Sequence, residues 1–515
     1  MKPLNGTLIR KIGARPRRRL FGSIILGFLL LVGLKAAPRD DSFDLLVYNV
    51  ENLFDADGIA LFNDYREFEK EGEVVYSPLK LLTKLKNIAR VLETFNAGEG
   101  PEIILFNELE FDRTSGKTAP PYEVWKRAYA GTSVSDLLTT QLTAEVRNLP
   151  VEFFLWKFFK EQGFGDYYFT IQSPRLIDAT VEAHTNAVFS KYPISQVLSH
   201  PTEEARDILE VTLDVEGETL ILFANHWKSG ASRLETEPLR VQNARVLRKR
   251  LDTIFQSNPW TDVIVAGDLN SNYNQNFVHP GEITGIIDIL GSQGDELAIR
   301  DPEHSGLYNL WFELPPQERF SEVYRNRYNT LMHILLSRGL YDYQGVQYVD
   351  GSFQKVILPG ENARPPSMRP IRWYFLGDGG GFSDHLPIAA EFRVLSQEKE
   401  GLLSLKKPSR TPLGSSEFFS PVRDSEADVS SVEELEGLSD NALASRYGDR
   451  FLVRGPVLSQ DPLFIQAAGR AFQLYVPDRE LFLALQSESR GEVIQVEGRL
   501  GEYRGQIQFI VESRD

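Results

Sequence analysis

The sequence predicts an α/β layered domain followed by a small β-barrel, on three observations. From Phe43 to about Val394, short runs rich in Leu, Ile, Val and Phe alternate with stretches whose apolar residues recur at helical spacing. Nearly every such run ends in a cluster of polar residues, the pattern of buried strands carrying functional groups at their ends. Beyond about Arg446 the chain turns to short strands of alternating apolar and polar residues, punctuated by glycines.

Composition sets the frame for these elements. A chain of 515 residues is long enough for more than one core. Its 56 Lys and Arg against 72 Asp and Glu give a net charge of −16, a poor basis for coating nucleic acid by long-range attraction. That balance does not exclude an enzyme that meets phosphate through a bound metal. With no cysteine, disulfides, thiolate metal sites and a Cys nucleophile are excluded.

The N-terminal element, residues 1–39, holds nine basic residues and no acidic one. Arg15, Arg17, Arg18 and Arg19 precede the apolar run Leu20–Leu34, which is shorter than the roughly 18–20 residues of a comfortable bilayer span. Small residues Ala36 and Ala37 follow, so the segment reads as an export signal. Leu34 and Lys35 stand where small residues are preferred, which leaves an uncleaved N-terminal anchor as the alternative and the only expected membrane contact. The expected location is outside the cytoplasm: periplasm, cell surface or secreted.

The next element, residues 40–395, carries the strand candidates Asp44–Tyr48, Glu102–Phe106, Leu220–Ala224, Asp262–Ala266 and Leu331–Leu336. Helix-like stretches, Ser77–Phe95 and Glu237–Gln256 among them, lie between these. Aromatic-rich Phe153–Phe159 is helix-spaced and reads as core. Residues 396–440, rich in Ser, Pro and Gly with ten acidic and five basic residues, read as a largely disordered linker. Residues 441–515 follow, with strands expected at Phe451–Leu458, Ala471–Val476, Glu492–Leu500 and Gln506–Glu512 and a helix at Asp478–Gln486.

Five polar clusters sit at or just after apolar strands: Asn49-Val50-Glu51-Asn52, Asn107-Glu108, Asn225-His226-Trp227-Lys228-Ser229, Gly267-Asp268-Leu269-Asn270 and Ser383-Asp384-His385. One carboxylate after a strand is usually a turn former or helix cap. Five clusters in the same context point to strand ends converging on one cleft. There Glu51, Glu108, Asp268 and Asp384 repel one another unless a cation neutralises them. Oxygen ligands without Cys favour a hard ion, Mg²⁺, Mn²⁺ or Ca²⁺, over zinc. His226 and His385 can carry protons near neutral pH. A hard metal, a carboxylate-held water and paired imidazoles suit phosphoester hydrolysis.

The ordered series YNVENLFD, FNE, NHWKS, GDLN and SDHLP resembles the endonuclease/exonuclease/phosphatase superfamily, the DNase I-like fold, over roughly residues 43–394, and within it the bacterial exported nuclease-like members. The resemblance implies a four-layer α/β sandwich. It implies Glu108 as the principal Mg²⁺ ligand with Asn49 and Glu51 beside it, and Asp268 as the group that orients or deprotonates the attacking water. Asn270 would bind phosphate, His385 would contact the scissile phosphate, and Asp384 would lie near the metal or orient its neighbour. His226 matches an additional histidine, a candidate general acid for the leaving oxygen. Asn186, Lys228 and Arg240 are further substrate-contact candidates, although Arg240, like Arg233, could equally line a solvated helix face.

One departure stands out. Where many members carry an Asp that orients the catalytic histidine, this chain has Met332, so another carboxylate, Asp378 for example, or a backbone carbonyl must hold His385, or activity is reduced. The adjacent His333 reads as a core strand residue. The C-terminal module resembles an OB fold, mainly over Val493–Ser513, with Tyr475, Arg499, Tyr503, Arg504 and Phe509 available to a single strand. Its nine basic and eleven acidic residues, counted from Asp440, make no strong positive patch, so a structural or protein-binding role is as well supported.

The reading that follows is an exported Mg²⁺-dependent phosphodiesterase acting on nucleic acid as an endonuclease. Its alternatives are a phosphatase or phospholipase C-type enzyme acting on lipid or inositol phosphate head groups, and a non-catalytic binding protein on the same scaffold. Oligomeric state is not legible in the sequence.

Overall fold

The strands expected at Asp44–Tyr48 and Glu102–Phe106 run longer than the apolar pattern alone marks, as β1 (Ser42–Leu53) and β2 (Ile103–Glu110). Each continues into its polar cluster. The computed structural model describes residues 42–57, 76–112, 121–172, 184–395 and 429–514, apart from residues 204, 300, 302–304, 325–326, 375–376, 445, 448, 461, 477–478 and 504–505. The expected targeting segment 1–39, and residues 396–428 of the expected linker, lie outside the described residues.

Strands β3 (Tyr168–Ile171) and β4 (His184–Ser190) complete one arm of the first sheet. The second sheet begins with β5 (Ile194–His200), β6 (Ile208–Val215), β7 (Glu218–His226) and β8 (Val263–Asp268), then β9 (Ser292–Gln293) and β10 (Leu307–Asn309). After a small hairpin, β11 (Glu322–Tyr324) and β12 (Arg327–Asn329), the chain returns to the second sheet as β13 (Met332–Leu336). It closes the first sheet with β14 (Gly345–Tyr348), β15 (Gln354–Lys355) and, after the short pair β16 (Ala363–Arg364) and β17 (Arg369–Pro370), β18 (Ile388–Leu395). The first sheet has the order β14-β18-β1-β2-β4-β3, with β15 also on β18, and the second β5-β6-β7-β8-β13-β10-β9.

Alternation along the strands makes the layers. In β1, Phe43, Leu45 and Val47 point to a core shared with Leu209, Val211, Leu222, Ile264 and Ile334 of the second sheet. Leu46 and Tyr48 point the other way, into a core with helices Pro78–Leu92 and Val151–Glu161. The outer face of the second sheet, with Phe223, Val263, Val265 and Leu335, is covered by helix Glu237–Ser257 through Ala244, Leu247 and Leu251. Helix, sheet, sheet, helix is the four-layer sandwich expected, and Phe153–Phe159 is core as read. Ser77 starts the first helix by accepting a 3.3 Å hydrogen bond from the Lys80 N–H, and Pro78 follows at a position where its missing N–H costs nothing.

The C-terminal strands are β19 (Ser430–Ser431), β20 (Arg450–Gln460), β21 (Leu463–Ala467), β22 (Arg470–Tyr475), β23 (Val493–Tyr503) and β24 (Gln506–Arg514). Five of them form a closed barrel, β20-β21-β22-β24-β23, because β23 pairs back on β20 from Arg450↔Arg499 to Pro456↔Val493. Its core takes in Val432 and Leu435, from the stretch expected to be linker. These two apolar residues lie three apart in an acidic run and bury on one side of a short 3₁₀ turn. The barrel meets the larger domain where Arg364 ion-pairs with Asp449 and the rings of Tyr374 and Tyr447 meet edge to face, 5.9 Å apart. Among the described residues, no helix is long and apolar enough to cross a membrane.

Candidate active site

Topology gathers the polar clusters at one end of the two sheets. β1 and β2 are parallel, as are β7 and β8, so Asn49, Asn107 and Glu108 end the first pair while Asn225, His226 and Asp268 end the second. β18 runs antiparallel to β1, which brings Ser383-Asp384-His385, just ahead of it, to the same end. The register slips in β1 between Asn49 and Leu53 and in β2 between Phe106 and Leu109. At these slips Glu51, Asn52 and Glu108 take positive φ of 47°, 65° and 65°, and Asn270 takes 47° after β8. Non-glycine residues in that region mark sites where geometry is held by surroundings. Gly267 has φ 123°, and a Cβ there would meet the Asn225 carbonyl oxygen at 2.1 Å, so only glycine lets β7 and β8 approach at this point.

The centre is built around two carboxylates. Asn49 Nδ2 donates to Glu108 Oε1 at 3.0 Å and to Asp268 Oδ2 at 3.1 Å, while its Oδ1 accepts from the Glu51 N–H. Glu108 Oε2 accepts from the Asn52 N–H, and Asp268 Oδ1 from the Asn270 N–H at 2.9 Å. His226 Nε2 lies 3.8 Å from both Glu108 and Asp268. His385 Nε2 lies 3.7 Å from Asp268 Oδ2 and 3.8 Å from Asp384 Oδ1. Ser383 Oγ ties this loop to the Asn49 carbonyl at 2.7 Å and accepts from the His385 N–H.

The surroundings divide the two histidines electrically. Burial holds His226 well below the ordinary histidine range, and Arg206, His184 and His385 add like charge. Burial also opposes charge on His385, but the carboxylates of Asp384, Asp268, Glu322 and Glu108 outweigh it and push the ring up to about 9. Burial lifts Asp268 above the ordinary range, against the pull of His385 and its hydrogen bonds. One oxygen each from Glu108 and Asp268 and a nitrogen of His226 lie within 4.8 Å of one another, a donor set that fits a divalent cation.

Asn49, Glu108, His226, Asp268, Asn270, Asp384 and His385 thus come together as the sequence reading required. Three other candidates, Glu51, Asn186 and Arg240, are engaged elsewhere. Glu51 is turned from Glu108: Arg372 donates to its Oε1 and the Trp373 N–H to its Oε2. Asn186 is fully buried and paired with Asn107 and Gln172, a support behind the site rather than a contact in it. Arg240 is fully buried and engaged by Glu237, Thr236 and the Lys228 carbonyl, which corrects its reading as a substrate contact. Lys228 is half-buried, its N–H donating to Asn243 Oδ1. His333 is a core residue between Asn309 and the Ser271 carbonyl.

Met332 is buried in the core between the sheets, opposite Asp268 in the β8–β13 register. Asp378, the suggested substitute for the missing Asp, is exposed. The residue that faces His385 instead is Glu322, its partner in an isolated antiparallel bridge. Sequence reading also passed over Lys84 and Arg372. Lys84 is fully buried in helix Pro78–Leu92, donates to the carbonyls of Glu51 and Asn52, and lies 4.8 Å from the Trp373 ring centroid. Burial pulls its amine down to about 7. None of the three falls in a motif of fixed spacing, and the one available signal was a lone Lys on the apolar face of a helix.

Residues 174–393 match the model of the Endonuclease/Exonuclease/phosphatase family. No curated protein matches the chain. Among solved structures, truncated TDP2 from Caenorhabditis elegans is 14% identical, covers 68% of this chain and 98% of its own, and has a TM-score of 0.36. An endonuclease/exonuclease/phosphatase family protein from Leptotrichia buccalis is 13% identical, with 68% and 98% covered and a TM-score of 0.37. Beta toxin from Staphylococcus aureus is 15% identical, with 68% and 99% covered and a TM-score of 0.35. Residues 174–393, the stretch that carries His226, Asp268 and His385, thus resemble the endonuclease/exonuclease/phosphatase family.

Proposed function

We propose that this protein is an exported, Mg²⁺-dependent phosphodiesterase that cuts nucleic acid as an endonuclease. The observation that carries the reading is the convergence of Asn49, Glu108, His226, Asp268 and His385 on one centre, with Asp268 touched by Asn49 and lying under 4 Å from both histidines. Export rests on the basic and then apolar segment of residues 1–39.

Glu108, with Asn49 beside it, would hold the Mg²⁺, which neutralises charge on the phosphate oxygens when bound. Asp268 orients the attacking water and takes its proton. Its Oδ1 is fixed by the Asn270 N–H and its Oδ2 by Asn49, so the carboxylate is held before substrate arrives. His385, whose ring the surrounding carboxylates push towards its charged form, contacts the scissile phosphate and supplies the proton for the leaving oxygen. The sequence reading gave that acid role to His226, but burial there favours a neutral imidazole, suited to accepting or relaying a proton beside Glu108 and Asp268. Nucleic acid is favoured by the barrel, which meets the larger domain at Tyr374 and Tyr447, on the segment leading to Ser383-Asp384-His385.

The test incubates the purified protein with Mg²⁺ and, in parallel, plasmid DNA, RNA, sphingomyelin vesicles and phosphoinositides. Nicking and linearisation of circular plasmid is the expected result. Turnover of a lipid head group without cleavage of either nucleic acid would replace the nuclease reading with the lipid one. No turnover of any substrate with Mg²⁺ or Mn²⁺ would leave a binding protein.

A further inference from the structure

We propose that Arg372 is a phosphate-binding residue of this site and that Glu51 is the positioning residue that holds it; the assignment rests on the phosphodiesterase reading above. Three other cations around the centre are committed to the protein. Lys84 is fully buried on the carbonyls of Glu51 and Asn52, Arg206 is bonded to His184 Nδ1 at 3.0 Å, and Arg240 is closed in by Glu237. Arg372 differs in being 62% exposed while the carboxylate beneath it is 8% exposed.

The geometry is that of a clamp. Arg372 Nε and Nη2 both donate to Glu51 Oε1, at 3.0 and 2.7 Å, and the neighbouring Trp373 N–H donates to Glu51 Oε2 at 2.8 Å. Both oxygens of one buried carboxylate thus fix the loop and the side chain it carries. Arg372 Nη2 is also 3.5 Å from Asp384 Oδ2, and Asp384 Oδ1 is 3.8 Å from His385 Nε2, so the guanidinium stands one carboxylate away from His385. Among the described residues Arg372 Nη1 has no protein partner, which leaves its N–H donors to solvent beside the centre.

An exposed Arg–Glu pair is ordinarily worth little. Here the carboxylate is buried, on a residue with φ 47°, under an arginine left in solvent. The pair neutralises the buried carboxylate, and the solvent-facing edge of the guanidinium remains open to a ligand. A guanidinium pinned along one edge and open on the other matches the oxygens of a phosphate, and pinning removes the ordering cost of a long side chain. The ligand is a phosphate monoanion or dianion, from a nucleic-acid strand or from a lipid head group.

The experiment uses the full chain and inorganic phosphate as probe, with calorimetry in the presence of Mg²⁺. Arg372→Ala is expected to weaken phosphate binding about tenfold, and Arg372→Lys, which keeps charge without the fork, about threefold. Mg²⁺ affinity, measured without phosphate, is expected to hold in both variants and in Glu51→Gln. Unchanged phosphate affinity in Arg372→Ala overturns the assignment, as does a loss of Mg²⁺ affinity that parallels the phosphate loss. A large loss of Mg²⁺ affinity in Glu51→Gln overturns the role given to Glu51 and returns it to the metal. On a DNA oligonucleotide and on sphingomyelin vesicles, Arg372→Ala is expected to raise KM by more than it lowers kcat on the substrate that is turned over, which also names the source of the phosphate. A wild-type chain that turns over neither substrate yet binds phosphate through Arg372 sinks the hydrolase reading while upholding the arginine.

Discussion

Asn107, on the first sheet, accepts a 3.1 Å hydrogen bond on its Oδ1 from the backbone N–H of Asp268, on the second. Its Nδ2 donates in turn to the Asn225 carbonyl at 2.9 Å and to Asn186 Oδ1 at 2.7 Å. One fully buried amide therefore stitches the two halves of the sandwich beneath the proposed base. The distance from Glu108 on one sheet to Asp268 on the other depends on this tie.

Asn107→Leu keeps the volume and removes every one of these bonds. The Asp268 N–H, the Asn225 carbonyl and Asn186 are then buried without a partner, a loss of roughly 2–4 kcal/mol. A lower urea midpoint at unchanged m is expected, with a fall in kcat larger than the fall in stability accounts for at assay temperature. A variant as stable as wild type would mean that water replaces the amide and that the sheets do not rely on it.

Asp268→Asn and His226→Ala remove groups within 4 Å of each other at the centre. Each is expected to lower kcat by about 10²–10⁴-fold while the far-ultraviolet dichroism stays that of wild type. Full activity in either variant would mean its role is wrongly assigned, and would shift attention to Glu108 and His385.

Glu322 and His385 face each other across an antiparallel bridge, so their side chains share one face. Met332 cannot accept a hydrogen bond where a carboxylate was expected. With Glu322→Ala, His385 loses one of the carboxylates around it, and kcat is expected to drop about tenfold with KM little changed. Retained kcat would show that Asp268 and Asp384, under 4 Å from Nε2, are enough.

Much of this site was legible because its groups lie in short motifs beside apolar strands, all but Asp384 and His385 at or after a strand's end. Asn49, Glu108, His226 and Asp268 need only the rule that parallel strand ends converge, and His385 joins them from the segment before antiparallel β18. What escaped reading depends on contacts between distant segments. Glu51 sits two residues from Asn49, but the register slip in β1 gives it a positive φ, and it is taken by an arginine 321 positions away. Arg240 looked like a surface cation on a charged helix, yet Glu237 one turn earlier neutralises it inside the protein. Val432 and Leu435 were hidden in an acidic run because two apolar residues are too few to show a period. Strand β5 was missed for a related reason: it is an edge strand with much of its length exposed, so it carries no apolar run.

That edge also carries a pH dependence. Glu210 on β6 has a side chain only 1% exposed, yet Arg250 meets it with two hydrogen bonds of 2.7 Å and His200 Nε2 lies 2.6 Å away. Burial pushes this carboxyl up, but Arg250 and His200 outweigh it and hold it at about 2. An unfolded Glu titrates near ~4.3. A carboxyl depressed by folding stabilises the native state above the unfolded value, and that stability drains away as pH falls from about 4.3 towards about 2. The contribution lost is on the order of 2 kcal/mol. In Glu210→Gln, urea midpoints measured from pH 6 down to pH 2 are expected to start lower than wild type and to converge with it at the acid end. His200→Ala should reproduce part of the effect, since Arg250 remains. A slope through this window that survives Glu210→Gln would assign the acid sensitivity to other buried carboxylates and leave Glu210 without a measurable share.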